Sequence, residues 1–538
     1  MWFQTATFYE VPVYAFFDSD GDGVGDLPGI TAKLDYLEWL GIDCVWLLPF
    51  YPSPMVDGGY DVSDLTGVRT EFGTLDDVAT LVAEIHARGM RAMADVIVNH
   101  TSDQHPWFQA ARQPGSPTRD WYVWSDTDEK YADARVIFID TQDSNWAWDE
   151  VAGAYYWHRF YAEQPDLNFD NPEVRQAVKD VIRFWLDIGF DGLRMDAIPY
   201  LFEREGTISE NLPETHAFLK EVRAMMDAEY TDRIMLAEAN QPPADVVAYL
   251  GEGDECHMAY HFPIMPTLYM ALKRETAVDI VKALEATPDI PDNCQWGVFL
   301  RNHDELTLEM VTEEDRRYML EHYAPDPAMK KNVGIRRRLM PLLDNDRARF
   351  QLLHGVLLTL PGSPFLYYGD ELGMGDNYRL NDRDGVRTPM QWTAGPGAGF
   401  SDAEPEDFYL PVIDDPRYAP DQVNVVDQRA DDRSLLHWTR SMLASRRHHP
   451  VFSTGRFELI DLGNPAVLSY RRWSSDDDIM VVANFSTVET RVGLEEPVAD
   501  AVSGEVFTDE VGLSGHEFRW LRPVGAEQRD GSTDRAGQ

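Results

Sequence analysis

Three carboxylates stand out by what surrounds them: Asp196 in GLRMDA, Glu238 after IMLA, and Asp304 in RNHDE. Arg194 and Asp196 are two apart, so on a strand their side chains share one face. A guanidinium beside a carboxylate lowers its pKa and keeps it ionised, as a nucleophile requires. Glu238 follows an apolar run, and a carboxyl in an apolar, negatively charged place is pushed toward the protonated form that a general acid needs. Such a pair suits glycoside cleavage, one carboxylate attacking the anomeric carbon while the other protonates the leaving oxygen. Asp304, with His100 and His303, could hold sugar hydroxyls and strengthen that hold as an oxocarbenium-like state forms. Each residue alone has a plainer reading. A strand-end Asp caps or turns the chain, Arg194 with Asp196 makes a structural ion pair, and each His is a satisfied structural imidazole. Their coincidence at several expected strand ends is what favours chemistry.

A second constellation is DSDGDGVGD (18–26), which places Asp18, Asp20, Asp22 and Asp26 in a glycine-rich loop. Hard carboxylate oxygens so crowded call for a cation, and Ca²⁺, with roughly 6–8 oxygen ligands, fits best. The twelfth position from Asp18 is Gly29 rather than Glu, so this is no EF-hand, and a backbone carbonyl near Val24 would complete the set. The plainer alternative is a solvated acidic turn.

The elements that must position these groups follow from the patterning. Short β-rich runs alternate with longer amphipathic ones: a strand at 9–17, a helix at 29–40, strands at 44–50 and 91–98 around a helix at 75–89. Helices at 174–189 and 214–230 then precede strands at 190–197 and 233–239, with further strands at 297–302 and 364–371 and a helix near 346–360 between them. Alternation with apolar strands implies a parallel sheet covered by helices, and more than six such units favour a closed (β/α)8 barrel, an α/β fold, over an open sheet. Barrel enzymes carry their active groups at the carboxyl ends of the strands, where Asp95, Asn99, His100, Arg194, Asp196, Glu238, His303 and Asp304 all fall. The barrel is expected over 1–100 and 169–450. Residues 101–168, rich in Trp, Tyr, Pro and Asp, read as a subdomain inserted after the third strand, and 305–345 as a charged, lid-like insertion. From 451 to 524 alternating runs predict an antiparallel β-sandwich, and 525–538 a flexible tail.

Composition removes several classes. The 538 residues carry a formal charge of −46, which repels phosphate backbones and argues against nucleic-acid or anionic-membrane partners. Hydrophobic residues at 44% exclude a disordered chain. Three scattered cysteines, Cys44, Cys256 and Cys294, suit neither a disulfide framework nor a zinc site. No glycine-rich phosphate loop follows the first strand, so no nucleotide cofactor is expected, nor any other organic one. MWFQTATFYE lacks a basic-then-apolar leader pattern and no apolar run is long enough to span a bilayer, which makes a soluble cytoplasmic protein the expectation.

The segments DVIVNH (95–100), GFDGLRMDA (189–197), LAEAN (236–240) and FLRNHDE (299–305) resemble the four signature regions of the α-amylase superfamily of glycoside hydrolases and transglycosidases. QPDLNF (164–169), DSDGDGVGDLPGI and RTPMQW (387–392) resemble its oligo-1,6-glucosidase-like branch. Between these motifs, WLLPFYPSP, NHTSDQHPWFQ, PYLFEREGT, ENLPETHAFL and GDECHMAYHFP resemble members that interconvert maltose and trehalose by intramolecular glucosyl transfer. The resemblance implies Asp196 as nucleophile, Glu238 as acid/base and Asp304 as transition-state stabiliser. It implies a glucosyl subsite lined by Asp57, Tyr60, His100, Arg194, His303 and Arg387, with Tyr60 stacking on the sugar and Gln164 near the leaving sugar. The branch's calcium site matches Asp18, Asp20, Asp22, the Val24 carbonyl and Asp26. A second calcium is implied at Asn99, Asp166, Glu203 and the carbonyls of Tyr200 and Leu201. Leu65 and Ser19 depart from the pattern without touching the chemistry. The implied partner is a small disaccharide, while self-association and a separate maltokinase stay open. The rival within the family is an α-glucosidase or oligo-1,6-glucosidase. The rival outside it is a non-catalytic relative of the transporter heavy-subunit kind, disfavoured because all three acids are present and a membrane span is not expected.

Overall fold

The computed structural model describes residues 1–524, so the tail expected at 525–538 lies outside the described residues. Eight parallel strands close a barrel in chain order: β1 (Phe8–Val11), β2 (Cys44–Leu47), β3 (Arg91–Ile97), β4 (Gly192–Asp196), β5 (Ile234–Ala237), β6 (Met258–Tyr260), β7 (Gln295–Phe299) and β8 (Ser363–Tyr367). β1 pairs with both β2 and β8, which closes the ring. Every residue of β1, β2, β4, β5, β7 and β8 is buried, which is why these strands read as continuous apolar runs rather than alternating ones.

The covering helices start and stop where local chemistry dictates. Helix Pro172–Ile188 has Asn171 as N-cap, its side chain accepting from Glu173 N at 2.8 Å, with Pro172 in its first turn and Gly189 beyond its end. Helix Leu75–Ala87 begins in a reciprocal box between Thr74 and Asp77. Such caps set where each helix ends and therefore the register of the strand that follows.

Three expectations are corrected. The run 9–17 is not one strand: β1 ends at Val11, Pro12 intervenes, and Val13–Phe16 forms a helical turn. The helix at 29–40 is two, Leu27–Ala32 and Leu34–Leu40, broken at Lys33. The sixth strand, β6, went unread because its three residues are too short to show a period.

Between β3 and β4 a three-stranded antiparallel sheet (Trp124–Ser125, Trp146–Asp149, Ala154–Trp157) packs around Trp146 and Trp157. Past β7, short strands Leu306–Thr307, Lys330–Lys331 and Gly334–Ile335 accompany helix Glu313–Tyr323. At the carboxyl end of the chain a six-stranded antiparallel sheet and a two-stranded one enclose Val482, Val492, Val511, Leu513 and Leu521, a two-layer sandwich. Its outer face packs on helix Arg347–Leu357, where Trp520 Nε1 donates to the Gly355 carbonyl at 3.1 Å. Two buried arginines sit at the same junction, and Arg472 crosses it. Arg446 donates to the carbonyls of Leu358 and Gly362, and Arg472 to those of Thr359 (2.7 Å) and Gly455 (3.2 Å). Both cations therefore sit at the carboxyl end of helix Arg347–Leu357, where the helix dipole is negative. Among the described residues no helix is long and apolar enough to cross a membrane.

Candidate active site

The carboxyl ends of the strands surround one cavity, and Asp196, Glu238 and Asp304 all line it. Asp196 is the last residue of β4 and Glu238 the first after β5. Neighbouring parallel strands thus deliver the two carboxyls to one rim. Arg194, 1% exposed, lies behind them and donates to both Asp196 and Glu238, and to Asp95 Oδ1 at 2.8 Å. After Asp196 the chain turns sharply through Ala197, whose φ of 53° is left-handed for a residue with a Cβ. That turn aims the Ala197 N–H at Glu238 Oε2, 3.1 Å away.

The rim separates its acids. Burial pushes Glu238 up to about 8, only partly opposed by Arg194. Burial also raises Asp196, to about 6, with Arg194 opposing it. The expectation that the guanidinium sets a lowered Asp196 is corrected: Arg194 does lower it, but desolvation outweighs that, although Asp196 still ionises first of the two. Asp304 goes the other way. Burial penalises its charge, but His303, Arg383 and Arg387 outweigh that and hold it well below the usual carboxylate range.

Of the residues implied for the glucosyl subsite, Asp57, Tyr60 and His100 line the cavity. Tyr60 donates to Asp95 Oδ2 at 2.8 Å, and its ring stacks on the His303 imidazole at 5.3 Å. His303 lies beneath, its Nε2 2.8 Å from the Tyr60 hydroxyl and 3.1 Å from Asp304 Oδ2. Gln164 stands one layer back and donates to Asp57 Oδ2 at 3.0 Å, with His100 Nε2 3.2 Å away. Arg387 is also behind the wall, donating to the His303 carbonyl at 2.9 Å and to Asp304 Oδ1 at 3.1 Å. Its path runs past Gly58, where φ is +57° and a Cβ would stand 2.1 Å from Arg387 Nη1.

Sequence reasoning missed the arginine that does reach the cavity. Arg383 lines it, pairs with Asp57, and donates to Asp304 Oδ1 at 2.9 Å. Its spacing of four from Arg387 around the turn Asp384–Val386 was the available signal.

Side chains from loops far apart in sequence bridge part of the mouth. Arg135 of the inserted subdomain pairs with Glu309 of the post-β7 insertion at 2.9 Å and with Glu210 of the post-β4 loop at 2.8 Å. Asn240, after β5, donates to Glu309 at 2.8 Å. Elsewhere on the rim Lys331 and Tyr161 both meet Asp382, at 2.8 and 3.1 Å.

The two expected calcium sets differ. Asp18, Asp20 and Asp22 bring oxygens within 4.8 Å of one another. Asp26 does not join them; it caps the following helix by accepting from Gly29 N (2.5 Å) and also accepts from Ser19 N (2.8 Å). Val24 places its N–H on Asp22 Oδ1 at 2.8 Å. In the second set Asn99 Oδ1, Asp166 Oδ2 and Glu203 Oε1 are all buried without a partner, and Tyr200 and Leu201 are buried on the same post-β4 turn as Glu203. Three unpartnered buried oxygens are what a divalent cation would satisfy.

Residues 13–325 and 336–455 match the family model "Alpha amylase, catalytic domain". The chain is 55% identical over 543 residues to "Trehalose synthase/amylase TreS" of Mycobacterium tuberculosis, covering 97% of this chain and 90% of that one. It is 54% identical over 547 residues to "Trehalose synthase" of a Pimelobacter strain, covering 97% and 96%. "Oligo-1,6-glucosidase" of Parageobacillus thermoglucosidasius stands further off at 30% over 546 residues, covering 90% and 91%. Among solved structures, the trehalulose synthase MutB from Pseudomonas mesoacidophila superposes with a TM-score of 0.79 at 28% identity, covering 97% of this chain and 99% of that one. Barrel, rim and relatives agree, and the chain belongs to the α-amylase family.

Proposed function

We propose that the protein interconverts maltose and trehalose by intramolecular glucosyl transfer, a retaining double displacement with minor hydrolysis to glucose. The observation that carries this is the pair Asp196 and Glu238 on one guanidinium at the floor of a cavity whose mouth is bridged from several loops. Asp196, ionised at neutral pH, attacks C1 of the non-reducing glucosyl unit while Glu238, protonated, gives its proton to the departing oxygen. Asp304 stays charged and faces the developing positive charge. The freed glucose turns within the bridged cavity, Glu238 takes the proton from its anomeric hydroxyl, and that oxygen displaces Asp196 to form the α,α-1,1 bond. Two inversions retain the anomeric configuration. Water would divert the glucosyl-enzyme to glucose, so the Arg135–Glu309 bridge and its neighbours have a chemical purpose in excluding it.

Calcium belongs to the same proposal. Asn99, Asp166, Glu203 and the Tyr200 and Leu201 carbonyls would hold one ion at the stem of the inserted subdomain. Asp18, Asp20 and Asp22 would hold another in the loop after β1. Either would supply structural cross-linking rather than chemistry. The three cysteines are buried free thiols, which supports a reducing, cytoplasmic setting.

The deciding experiment incubates the protein with maltose and follows the sugars by NMR. Trehalose with a minor share of glucose is expected. Glucose as the sole product would make the protein an α-glucosidase.

A further inference from the structure

One buried carboxylate beneath the cavity has no part in the steps above. Glu10 points inward from β1, is 1% exposed, and is absent from the cavity wall. Its Oε1 accepts from His303 Nδ1 and from the His303 backbone N–H at 3.3 Å. The opposite ring nitrogen, Nε2, meets the Tyr60 hydroxyl at 2.8 Å and Asp304 Oδ2 at 3.1 Å.

The hydrogens on this ring can be counted. Tyr60 has one hydroxyl hydrogen, and Asp95 Oδ2 at 2.8 Å, itself paired to Arg194, takes it. Tyr60 oxygen must then accept from His303, so Nε2 carries a hydrogen. Nδ1 faces a carboxylate that can only accept, so it carries one too. A ring with both nitrogens protonated is an imidazolium, and Glu10 and Asp304 are the anions on its two sides. The other charged or titratable groups around the His303–Glu10 pair are Tyr60 and Asp95 from the β2 loop and β3, Arg194 from β4, Tyr260 from β6, Tyr367 from β8 with Asp370 beyond it, and Arg387, whose Nε holds the His303 carbonyl at 2.9 Å. Trp46 closes the ring's edge at 5.9 Å.

We propose that Glu10 is a positioning residue for the glucosyl transfer: from the barrel floor it fixes His303 as a doubly protonated ring whose Nε2–H is shared between the Tyr60 hydroxyl and Asp304, directly behind the cavity wall that Tyr60 and Asp304 form. The inference rests on the reading of this cavity as the glucosyl subsite. A neutral His303 would leave one ring nitrogen bare, either Nδ1 against Glu10 or Nε2 against Tyr60 and Asp304, and the groups on both sides need a donor. The proton would also be lost from beside Asp304 where positive charge develops on the sugar. Burial works against the charged ring, but Asp304 and Glu10 outweigh it and raise His303 to about 9.

The test is the Glu10→Gln variant, which keeps shape and the acceptor oxygen but removes the charge. Release of phenol from phenyl α-glucoside, whose leaving oxygen still draws on the Glu238 proton, reports glucosyl-enzyme formation whatever the later fate of the sugar. Failure of the maltose–trehalose reading is therefore distinguishable from failure of this one. In the wild type the alkaline limb of kcat/KM is set by Glu238, which deprotonates near 8 ahead of His303 near 9. Without the Glu10 charge, His303 loses its proton first, and the limb moves acid-ward by roughly one pH unit. Activity at pH 5.5 stays within about threefold of wild type, while at pH 8.5 it falls by roughly tenfold or more. A uniform loss at every pH, or an unmoved limb, overturns the proposal. A second measurement does not depend on the variant folding: ¹⁵N NMR of the histidine rings in the wild type, assigned with His303→Gln, should show His303 protonated on both nitrogens at pH 7.5. A neutral tautomer there overturns it as well.

Discussion

The two ends of the barrel use buried charge differently. At the carboxyl-end mouth, Arg194 is shared among Asp95, Asp196 and Glu238, and the acids are left at unequal protonation. At the amino-terminal end, where the sandwich docks, Arg446 and Arg472 donate to main-chain carbonyls at the end of helix Arg347–Leu357, with no carboxylate among their hydrogen-bond partners. The mouth holds its charges in a costly arrangement that chemistry can exploit, and the base holds its charges where two domains meet. Substitutions at the two ends should therefore separate activity from stability.

The largest effect is expected at the mouth. Asp196→Ala should lower glucosyl transfer by roughly 10⁴-fold or more, because no other group can form the covalent intermediate. The thermal midpoint should be unchanged or higher, since a buried carboxylate is removed while Arg194 keeps two partners. A fall in midpoint large enough to account for the lost activity would erase the contrast. Next comes the base. Arg472→Met should cost roughly 2–4 kcal/mol, leaving the buried Thr359 carbonyl and the half-buried Gly455 carbonyl without their donor, and should leave kcat/KM for the folded enzyme unchanged. Denaturant unfolding beside steady-state kinetics reads both. The smallest effect returns to the mouth: chelation of Ca²⁺ should destabilise by roughly 1–3 kcal/mol through loss of a ligand bound only by the folded state. The share of the chelation effect that comes from this set should vanish in Glu203→Gln, whose Oε1 is one of the unpartnered oxygens, leaving a response smaller than in wild type. A chelation response identical in the two proteins would remove the ion from that set.

Much of this was legible beforehand, for identifiable reasons. Apolar strands alternating with amphipathic helical stretches announced a parallel barrel, and strand-end polar residues announced its rim. What escaped did so physically. β6 is too short to carry a period. The apolar run through Val13–Phe16 fits a helical turn as well as a strand until Pro12 decides. Arg383 looked like one of several loop arginines, and only the turn Asp384–Val386 sends it to Asp57 while Arg387 goes behind. Glu10 sat in an apolar run that read as plain strand, and its role depends on His303, 293 residues away. The sign of the Asp196 shift was misjudged because desolvation by the finished barrel is invisible in a local pair.

Gly58 sets a boundary on how this cavity can be redesigned. Since the Arg387 guanidinium occupies the space a side chain would need, the smallest replacement, alanine, would evict the cation from Asp304 and strain the backbone together. Attempts to retune the enzyme for bulkier or differently linked sugars therefore have no foothold at this position. Variation is better directed at the hydrophobic wall of Phe138, Phe262 and Met265, where a new shape can be tried without unseating an acid.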